Sequence, residues 1–182
     1  MIDEQELAEF DGTQTVRFER LLPGPIERLW SYLADSDKRS QWFAAGVLPT
    51  QVGTDFSLHF DHASLSANPE PTPERFKEIA GGLDSHHRLT RFDPPHALGF
   101  SWGTPQAGLS EVTFELTEAG DQVRLVLTHR RLSGRDEQFN VAGGWHAHLE
   151  VLRQRLNDRL PESFWNMFFE IERAYQRRDP PA

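Results

Sequence analysis

RLTRFDPPHALGFSW, residues 88–102, is the most informative stretch of this 182-residue chain. Its first half predicts a strand that ends at the double proline. After the prolines, the alternate residues Leu98, Phe100 and Trp102 are large and apolar. Alternation with a period of two buries one face of a strand and leaves the other face in solvent. The stretch therefore predicts two consecutive strands that face an apolar interior.

A long amphipathic pattern follows further along the chain and begins at Gly143-Gly144-Trp145. Its apolar positions recur at helical spacing and form one stripe, made by Val141, Trp145, Leu149, Leu152 and Leu156. A curved antiparallel sheet has one face to cover, and a long helix of this kind can cover it. We therefore predict a sheet folded around an interior, with this helix lying across it.

The rest of the chain divides into shorter elements. Uninterrupted strands are predicted over residues 13–20, 98–102, 111–116 and 123–131. Two further segments are predicted as interrupted strands: 47–60, in two pieces broken at Gly53, and 76–92, broken at Gly81-Gly82. Helices are predicted from Pro25 onward, with the stripe Ile26, Leu29, Trp30 and Leu33, then from 35–37 to about Trp42-Phe43, and over about 162–177. The polar segment 61–73 predicts a mobile surface loop, and residues 1–12 predict a flexible leader.

Composition narrows the classes of function. The net charge is −9, from 19 basic and 28 acidic side chains, which argues against nucleic acid as a partner. There is no cysteine, so disulfides, thiolate metal sites and a cysteine nucleophile are excluded. No apolar run approaches the roughly 20 residues that span a bilayer, so no membrane partner is expected. The polar N-terminus is unlike a signal peptide, and a cytoplasmic protein is predicted.

Several short pieces, taken in order, resemble a known superfamily. They are PIERLW at 25–30, Trp42-Phe43, DPPHAL at 93–98 with FSW at 100–102, SEVTFEL at 110–116, LTH at 127–129, and Gly144-Trp145 with Leu149 and Leu152. Together they resemble the SRPBCC (START-like, helix-grip) superfamily. Within it they are similar to the C-terminal domain of the activator of the ATPase of the ninety-kilodalton heat-shock chaperone.

The resemblance implies an α+β helix-grip fold. It consists of a curved antiparallel sheet of about six to seven strands wrapped around a long C-terminal helix, with two short helices after the first strand. We assign residues 13–158 to this domain and residues 159–182 to a C-terminal helical extension. Members of the superfamily include lipid and hormone carriers, polyketide cyclases and chaperone regulators, so the fold alone leaves the function open.

Aromatic side chains on the predicted inner faces could line a ligand cleft between sheet and helix. The predicted ligand-binding residues are Trp42, Phe56, Phe60, Phe100, Trp102, Phe114, His129, Trp145, His148 and Leu149. Strand parity points His129 inward, and a hairpin at Ala119-Gly120 would place Ser110 opposite it. Arg91 is a further candidate for a polar group in the cleft.

His129 and Ser110 are the weak catalytic candidates. A serine and a histidine inside a cavity are the beginning of a nucleophilic site, but no acid is positioned to orient the imidazole. A core histidine satisfied by the serine hydroxyl is the alternative.

The other histidines do not predict a metal site. His146 and His148 are two positions apart on a helix and point about 200° apart, with one of them expected in solvent. His59 and Asp61 are predicted on the outer face of a strand, with His62 at the edge of the loop that follows. The neighbours His86 and His87 are predicted to point to opposite faces. We predict no metal and no cofactor.

Three functions remain open. The favoured one is non-enzymatic binding of a hydrophobic small molecule in the cleft, with His129 orienting its polar end. The second is a protein-interaction module that acts on a chaperone in the stress response. The third is an enzyme similar to polyketide cyclases, with His129 as general base.

The aromatic terminal helix, with Trp165, Phe168 and Phe169, either packs on its own domain or contacts a partner such as a second copy of the chain.

Overall fold

Seven antiparallel strands form a single sheet in the order β1-β2-β7-β6-β5-β4-β3. The computed structural model describes residues 6–68, 70–103 and 109–178. The strands are β1 (Glu9–Asp11), β2 (Thr15–Pro23), β3 (Asp55–Phe60), β4 (Leu83–Asp93), β5 (Ala97–Trp102), β6 (Ser110–Ala119) and β7 (Gln122–Arg130). The sheet is curved and unclosed, and it has the predicted α+β helix-grip architecture.

In the described residues, four α-helices accompany the sheet. They are α1 (Ile26–Ala34), α2 (Ser36–Ser40), α3 (Arg135–Leu156) and α4 (Phe164–Arg178), and short 3-10 helices occupy His62–Leu65 and Glu74–Ile79. Helix α3 contacts β2 on one side and α4 on the other. Within the described part of the chain, no helix is long and apolar enough to cross a membrane.

The stretch over residues 88–102 forms β4, a turn and β5, as predicted. Leu98 and Phe100 are each 1% exposed, and Trp102 is half-buried at the end of the strand. The alternation therefore does bury one face of β5. The apolar face of α3 lies over it, with Trp145, Leu149 and Leu152 all buried in the same core.

Two strand predictions are wrong in extent. The segment 47–60 forms one strand, β3, and the residues before Gly53 are not in a strand. The segment 76–82 forms part of a 3-10 helix and a turn, so that β4 begins only at Leu83. Before Gly53 only Leu48 packs against the core, while Val47 and Val52 are exposed; in the second segment Phe76 and Ile79 pack against the core from the 3-10 helix.

The predicted mobile loop over 61–73 is instead held against the start of α4. Ser66 Oγ accepts a hydrogen bond of 2.8 Å from the backbone N–H of Phe164. The carboxylate of Glu70 accepts one from Ser163 Oγ at 2.6 Å and one from the N–H of Trp165 at 3.0 Å. A carboxylate at a helix N-terminus is favoured by the unpaired N–H groups and the helix dipole. Pro69, within this segment, lies outside the described residues.

The predicted leader also needs correction. Residues 1–5 lie outside the described residues, but Glu9–Asp11 form β1 and Leu7 and Ala8 are buried. The backbone N–H of Ala8 donates to the Tyr175 hydroxyl at 2.9 Å, and Arg178 donates to the Ala8 carbonyl at 2.7 Å. The first described strand is therefore fastened to the final helix.

The β6–β7 hairpin differs from the predicted register by two residues. Ala119 pairs with Gln122, and Val112 lies opposite His129, where Ser110 was predicted. Ser110 is therefore a diagonal neighbour of His129 on the same face, since side chains two positions apart on a strand share a face.

Candidate functional site

A pocket of about 340 Å³ lies between α3 and one end of the sheet. Its lining comes from β3, β4, β5, β7, α3 and the residues that follow α2 and β3. The described lining residues are Phe43, Phe60, His62, Leu83, Ser85, Trp102, His129, Asn140, Val141, Gly144, Trp145 and His148. None of them is a lysine, arginine, aspartate or glutamate, and aromatic and imidazole rings make most of the wall.

Half of the predicted ligand-binding residues line this pocket: Phe60, Trp102, His129, Trp145 and His148. The others, Trp42, Phe56, Phe100, Phe114 and Leu149, pack into the core and do not reach the described lining. Strand and helix periodicity predicts which residues point inward. It does not show how far along the interior the space remains open.

Phe43 is the central wall residue that the sequence pattern missed. Its ring stacks on Trp145 at a centroid distance of 4.9 Å and meets Phe60 edge-on at the same distance. It also meets His148 edge-on at 5.3 Å. Phe43 follows α2 outside any periodic element, and its one signal was its place beside Trp42 in the Trp42-Phe43 pair.

His129 is fully buried and both of its ring nitrogens are hydrogen-bonded. The indole N–H of Trp145 donates to Nδ1 at 3.0 Å, and Nε2 lies 2.7 Å from Ser110 Oγ. An indole N–H can only donate, so Nδ1 carries no proton. The neutral ring therefore carries its proton on Nε2 and donates it to Ser110, and burial lowers the pKa of His129 to about 4.

Ser110 is consequently placed as an acceptor from His129. Its own hydroxyl proton is directed to the backbone carbonyl of Trp102, 3.3 Å away. A serine nucleophile needs a base that accepts its proton, and here the imidazole offers a proton instead. Ser110 and His129 are in contact, as predicted. The hydrogen bond runs from His129 to Ser110, however, which is the direction expected of two core residues that satisfy each other and not of a base and its nucleophile.

His148 has the opposite tautomer. Its Nδ1 lies 2.8 Å from the backbone carbonyl of Trp42, which can only accept, so Nδ1 carries the proton. Nε2 is then an acceptor, and within the described residues it has no hydrogen-bond partner. Burial, reinforced by the nearby His62, lowers the pKa of His148 to about 3. The ring is 7% exposed and lines the pocket.

His62 packs beside His148, with 5.5 Å between the ring centroids. It lies among Phe60, Phe164 and Trp165, because the 3-10 helix that follows β3 tucks beneath α4. Its Nδ1 is buried without a partner, and burial lowers its pKa. His62 does lie at the loop edge, at the start of this 3-10 helix, and its partial burial there was not predicted.

The other histidines are distributed over separate environments. His59 is exposed and pairs with Asp84 at 2.7 Å, and His86 is exposed while His87 is buried, as strand parity predicts. The expectation that one of His146 and His148 faces solvent is wrong. His146 is 3% exposed, because α4 covers that side of α3, and its Nδ1 lies 3.3 Å from the Tyr175 hydroxyl. In the described ranges, no three histidine or carboxylate side chains are grouped to hold a metal ion.

Arg91 does not enter the pocket. It is about half exposed on the other face of the sheet, where its guanidinium pairs with Glu115 at 2.7 Å.

The aromatics of α4 pack on their own domain: Trp165 stacks on Phe76 at 4.9 Å, and Phe168 meets Phe76 edge-on at 5.5 Å.

Comparison with known proteins identifies relatives of this arrangement. Residues 23–157 match the family described as Activator of Hsp90 ATPase homolog 1-like protein. A protein from Bordetella parapertussis, solved by solution NMR, is 51% identical with a TM-score of 0.80, over 94% of this chain and 88% of that chain. No curated protein matches the chain.

More distant solved structures share the fold. CalU16 from Micromonospora echinospora is 21% identical with a TM-score of 0.63, over 91% of this chain and 87% of that chain. DynU16, a protein in the dynemicin biosynthetic locus, is 18% identical with a TM-score of 0.61, over 82% of this chain and 49% of that chain. At these identities the likeness establishes the architecture alone.

Proposed function

This chain belongs to the family of Activator of Hsp90 ATPase homolog 1-like proteins, and we propose that it binds a hydrophobic small molecule in the aromatic pocket without transforming it. The observation that carries the proposal is the pocket itself. Its volume of about 340 Å³ and its mostly aromatic wall suit a ligand of one or two rings.

The state of His129 favours binding over catalysis. A general base needs a free lone pair within reach of the substrate proton. The lone pair of His129 Nδ1 already accepts from Trp145, and Nε2 donates to Ser110. This arrangement supports a structural role for His129 and argues against the cyclase-like alternative, in which it would act as base.

Filling the pocket is the most direct test, and Gly144 provides the position. It lines the pocket on α3, and a Cβ added there would meet no atom within 4 Å. Gly144→Leu should therefore fold, and it should gain up to about 1 kcal/mol from helix propensity. With N-phenyl-1-naphthylamine as an uncharged fluorescent probe, we expect the wild-type protein to raise its emission and Gly144→Leu to lose at least about tenfold in affinity.

Gly143→Ala is the matched control. It is the neighbouring glycine of the same helix, and its new Cβ would make an ordinary contact of 3.9 Å with Phe168, on the side of α4. This variant should gain stability and keep the probe affinity. Equal probe affinity for the wild type and Gly144→Leu, or no binding by either, would contradict the proposal. Native mass spectrometry of the purified protein would show whether a ligand is retained.

A chaperone partner is the second candidate, because the family is described by its likeness to an activator of Hsp90 ATPase. Adding the protein at saturation to the chaperone and measuring ATP hydrolysis distinguishes the two. A raised rate that persists in Gly144→Leu would favour an interaction through the surface over a function of the pocket.

A further inference from the structure

The buried polar groups of the pocket differ in what they still offer to a ligand. His129 offers nothing further, since its two nitrogens are already bonded to Trp145 and Ser110. Ser85 is half-buried and Asn140 is exposed, so water can satisfy both at the rim. The tautomer of His62 is not set by any hydrogen bond among the described residues, so this ring can donate or accept.

Among the described lining residues, His148 is the one with a ring nitrogen whose role is fixed and which has no hydrogen-bond partner. The Trp42 carbonyl holds its proton on Nδ1, which leaves Nε2 as the free acceptor of a side chain that lines the pocket. When a ligand cuts this acceptor off from water, the ligand must donate a hydrogen bond to it, because leaving it desolvated and unbonded weakens binding. A ligand that fills the pocket therefore has to bring a donor to this position.

The lining also excludes ionised ligands. No lysine, arginine, aspartate or glutamate is among the described lining residues. A carboxylate would meet the lone pair of Nε2 with no cation to compensate, and a buried unpaired charge is strongly unfavourable. The aromatic rings of Phe43, Trp102 and Trp145 offer flat apolar surfaces instead.

From these observations we infer that the ligand is an uncharged aromatic or polycyclic molecule that donates a hydrogen bond, as from a hydroxyl group, to Nε2 of His148. This inference rests on the proposed function and adds to it the chemical class of the ligand. It also transfers the role of orienting the polar end from His129, where the sequence pattern placed it, to His148.

Three naphthalenes of nearly the same shape test the inference. 2-Naphthol can donate a hydrogen bond, 2-methoxynaphthalene can only accept, and 2-naphthoate is ionised at neutral pH. We expect calorimetric titration of the wild-type protein to give an affinity for 2-naphthol about tenfold higher than for 2-methoxynaphthalene, with 2-naphthoate weakest. Equal affinities of 2-naphthol and 2-methoxynaphthalene, or tighter binding of 2-naphthoate, would overturn the inference.

His148→Asn then tests the residue. An asparagine amide can keep a donor near the position of Nδ1 for the Trp42 carbonyl, while the acceptor at Nε2 is removed. We expect the preference for 2-naphthol over 2-methoxynaphthalene to fall from about tenfold to about twofold or less. A preference that stays at about tenfold in His148→Asn would overturn the assignment to His148.

His146→Asn is the matched control, since His146 is on the same helix and equally buried but does not line the pocket. His146→Asn should keep the full preference for 2-naphthol.

The comparison of the three naphthalenes needs no variant, so it remains valid if His148→Asn fails to fold. If none of the naphthalenes binds, both the proposed function and the inference fail; if all three bind equally and Gly144→Leu abolishes their binding, the proposed function stands and the inference fails.

Discussion

His129 and His148 differ in which ring nitrogen carries the proton, and this difference separates a structural group from one that can contact a ligand. In His129 the donor from Trp145 occupies Nδ1, whereas in His148 the Trp42 carbonyl holds the proton on Nδ1. The partners, one a donor and the other an acceptor, determine the tautomers.

The two tautomers can be observed directly. In a ¹⁵N NMR spectrum recorded through the long-range couplings of the imidazole rings, we expect His129 to show a protonated Nε2 and His148 a protonated Nδ1. Trp145→Phe removes the indole donor and should allow His129 to exchange between tautomers, while His148 keeps its own. A protonated Nδ1 on His129 in the wild type would contradict the structural role that we assign to it.

Sequence patterns could predict only part of this. Strand parity placed His129 inward and next to Ser110, because the alternation of a strand is local. The tautomer depends on Trp145, which comes from α3, and on a carbonyl after α2, and no local pattern carries either contact. For the same reason His148 was expected to line the cleft, but its free acceptor was not foreseen.

A buried arginine helps to hold the wall that contains Phe43. Arg39, at the end of α2, is 2% exposed and donates to the carbonyls of Leu33, at 2.9 Å, and Ala44, at 3.1 Å, as well as to that of Gly46. These bonds hold the irregular segment after α2 in place. A guanidinium can reach several carbonyls at once because its donors form a planar fork.

Arg39→Lys should therefore destabilise the fold. An ammonium group cannot reach all of these carbonyls, so some would be buried without a donor, and we expect a loss of about 2–4 kcal/mol in the free energy of unfolding. Urea denaturation followed by circular dichroism measures it. Arg91→Lys, at an exposed ion pair, serves as the comparison and should change the urea midpoint little. Equal midpoints for the two variants would disprove the role of Arg39.

Elements with a strong repeating pattern were predictable, and irregular ones were not. The stripe of Ile26, Leu29 and Leu33 predicted α1, and the alternation in β5 and β7 predicted those strands. The segment 61–73 reads as a mobile loop because it is polar. Its order comes from Glu70 and Ser66, which bond the first N–H groups of α4 about a hundred residues away.

The molecule as a whole buries several neutral histidines around α3. Burial lowers the pKa of His129 to about 4 and those of His146 and His148 to about 3, and it also lowers those of His62 and His87. In the unfolded chain a histidine titrates near 6.5. Above about pH 6.5 these histidines are neutral in both states, so they do not lower the free energy of unfolding. Below it the unfolded chain binds protons that the folded state does not bind, which favours unfolding.

Stability should therefore fall steeply as the pH drops below about 6.5. Each of the three strongly shifted histidines should contribute about 1.4 kcal/mol per pH unit, which gives roughly 4 kcal/mol per unit near pH 5. Urea midpoints measured from pH 8 to pH 4.5 check this. His146→Asn and His148→Asn should each reduce the slope by about a third. A stability that is level between pH 7 and pH 5 would refute the burial of neutral rings.

The overall architecture was the most predictable level. The predicted resemblance to the helix-grip superfamily is confirmed by the family match and by the observed sheet and helices. The order of the elements along the chain is enough to indicate this fold, because few arrangements allow one long helix to cover a curved sheet.

The fastening of β1 to α4 has a consequence for biosynthesis. Ala8 bonds Tyr175 and Arg178, so its partners are made some 170 residues after it. A chain that emerges from the ribosome in order must leave this first strand without those contacts until the last helix is released. Until then β1 is held by its pairing with the neighbouring strand β2 alone, so this edge of the sheet is the last part of the fold to be secured.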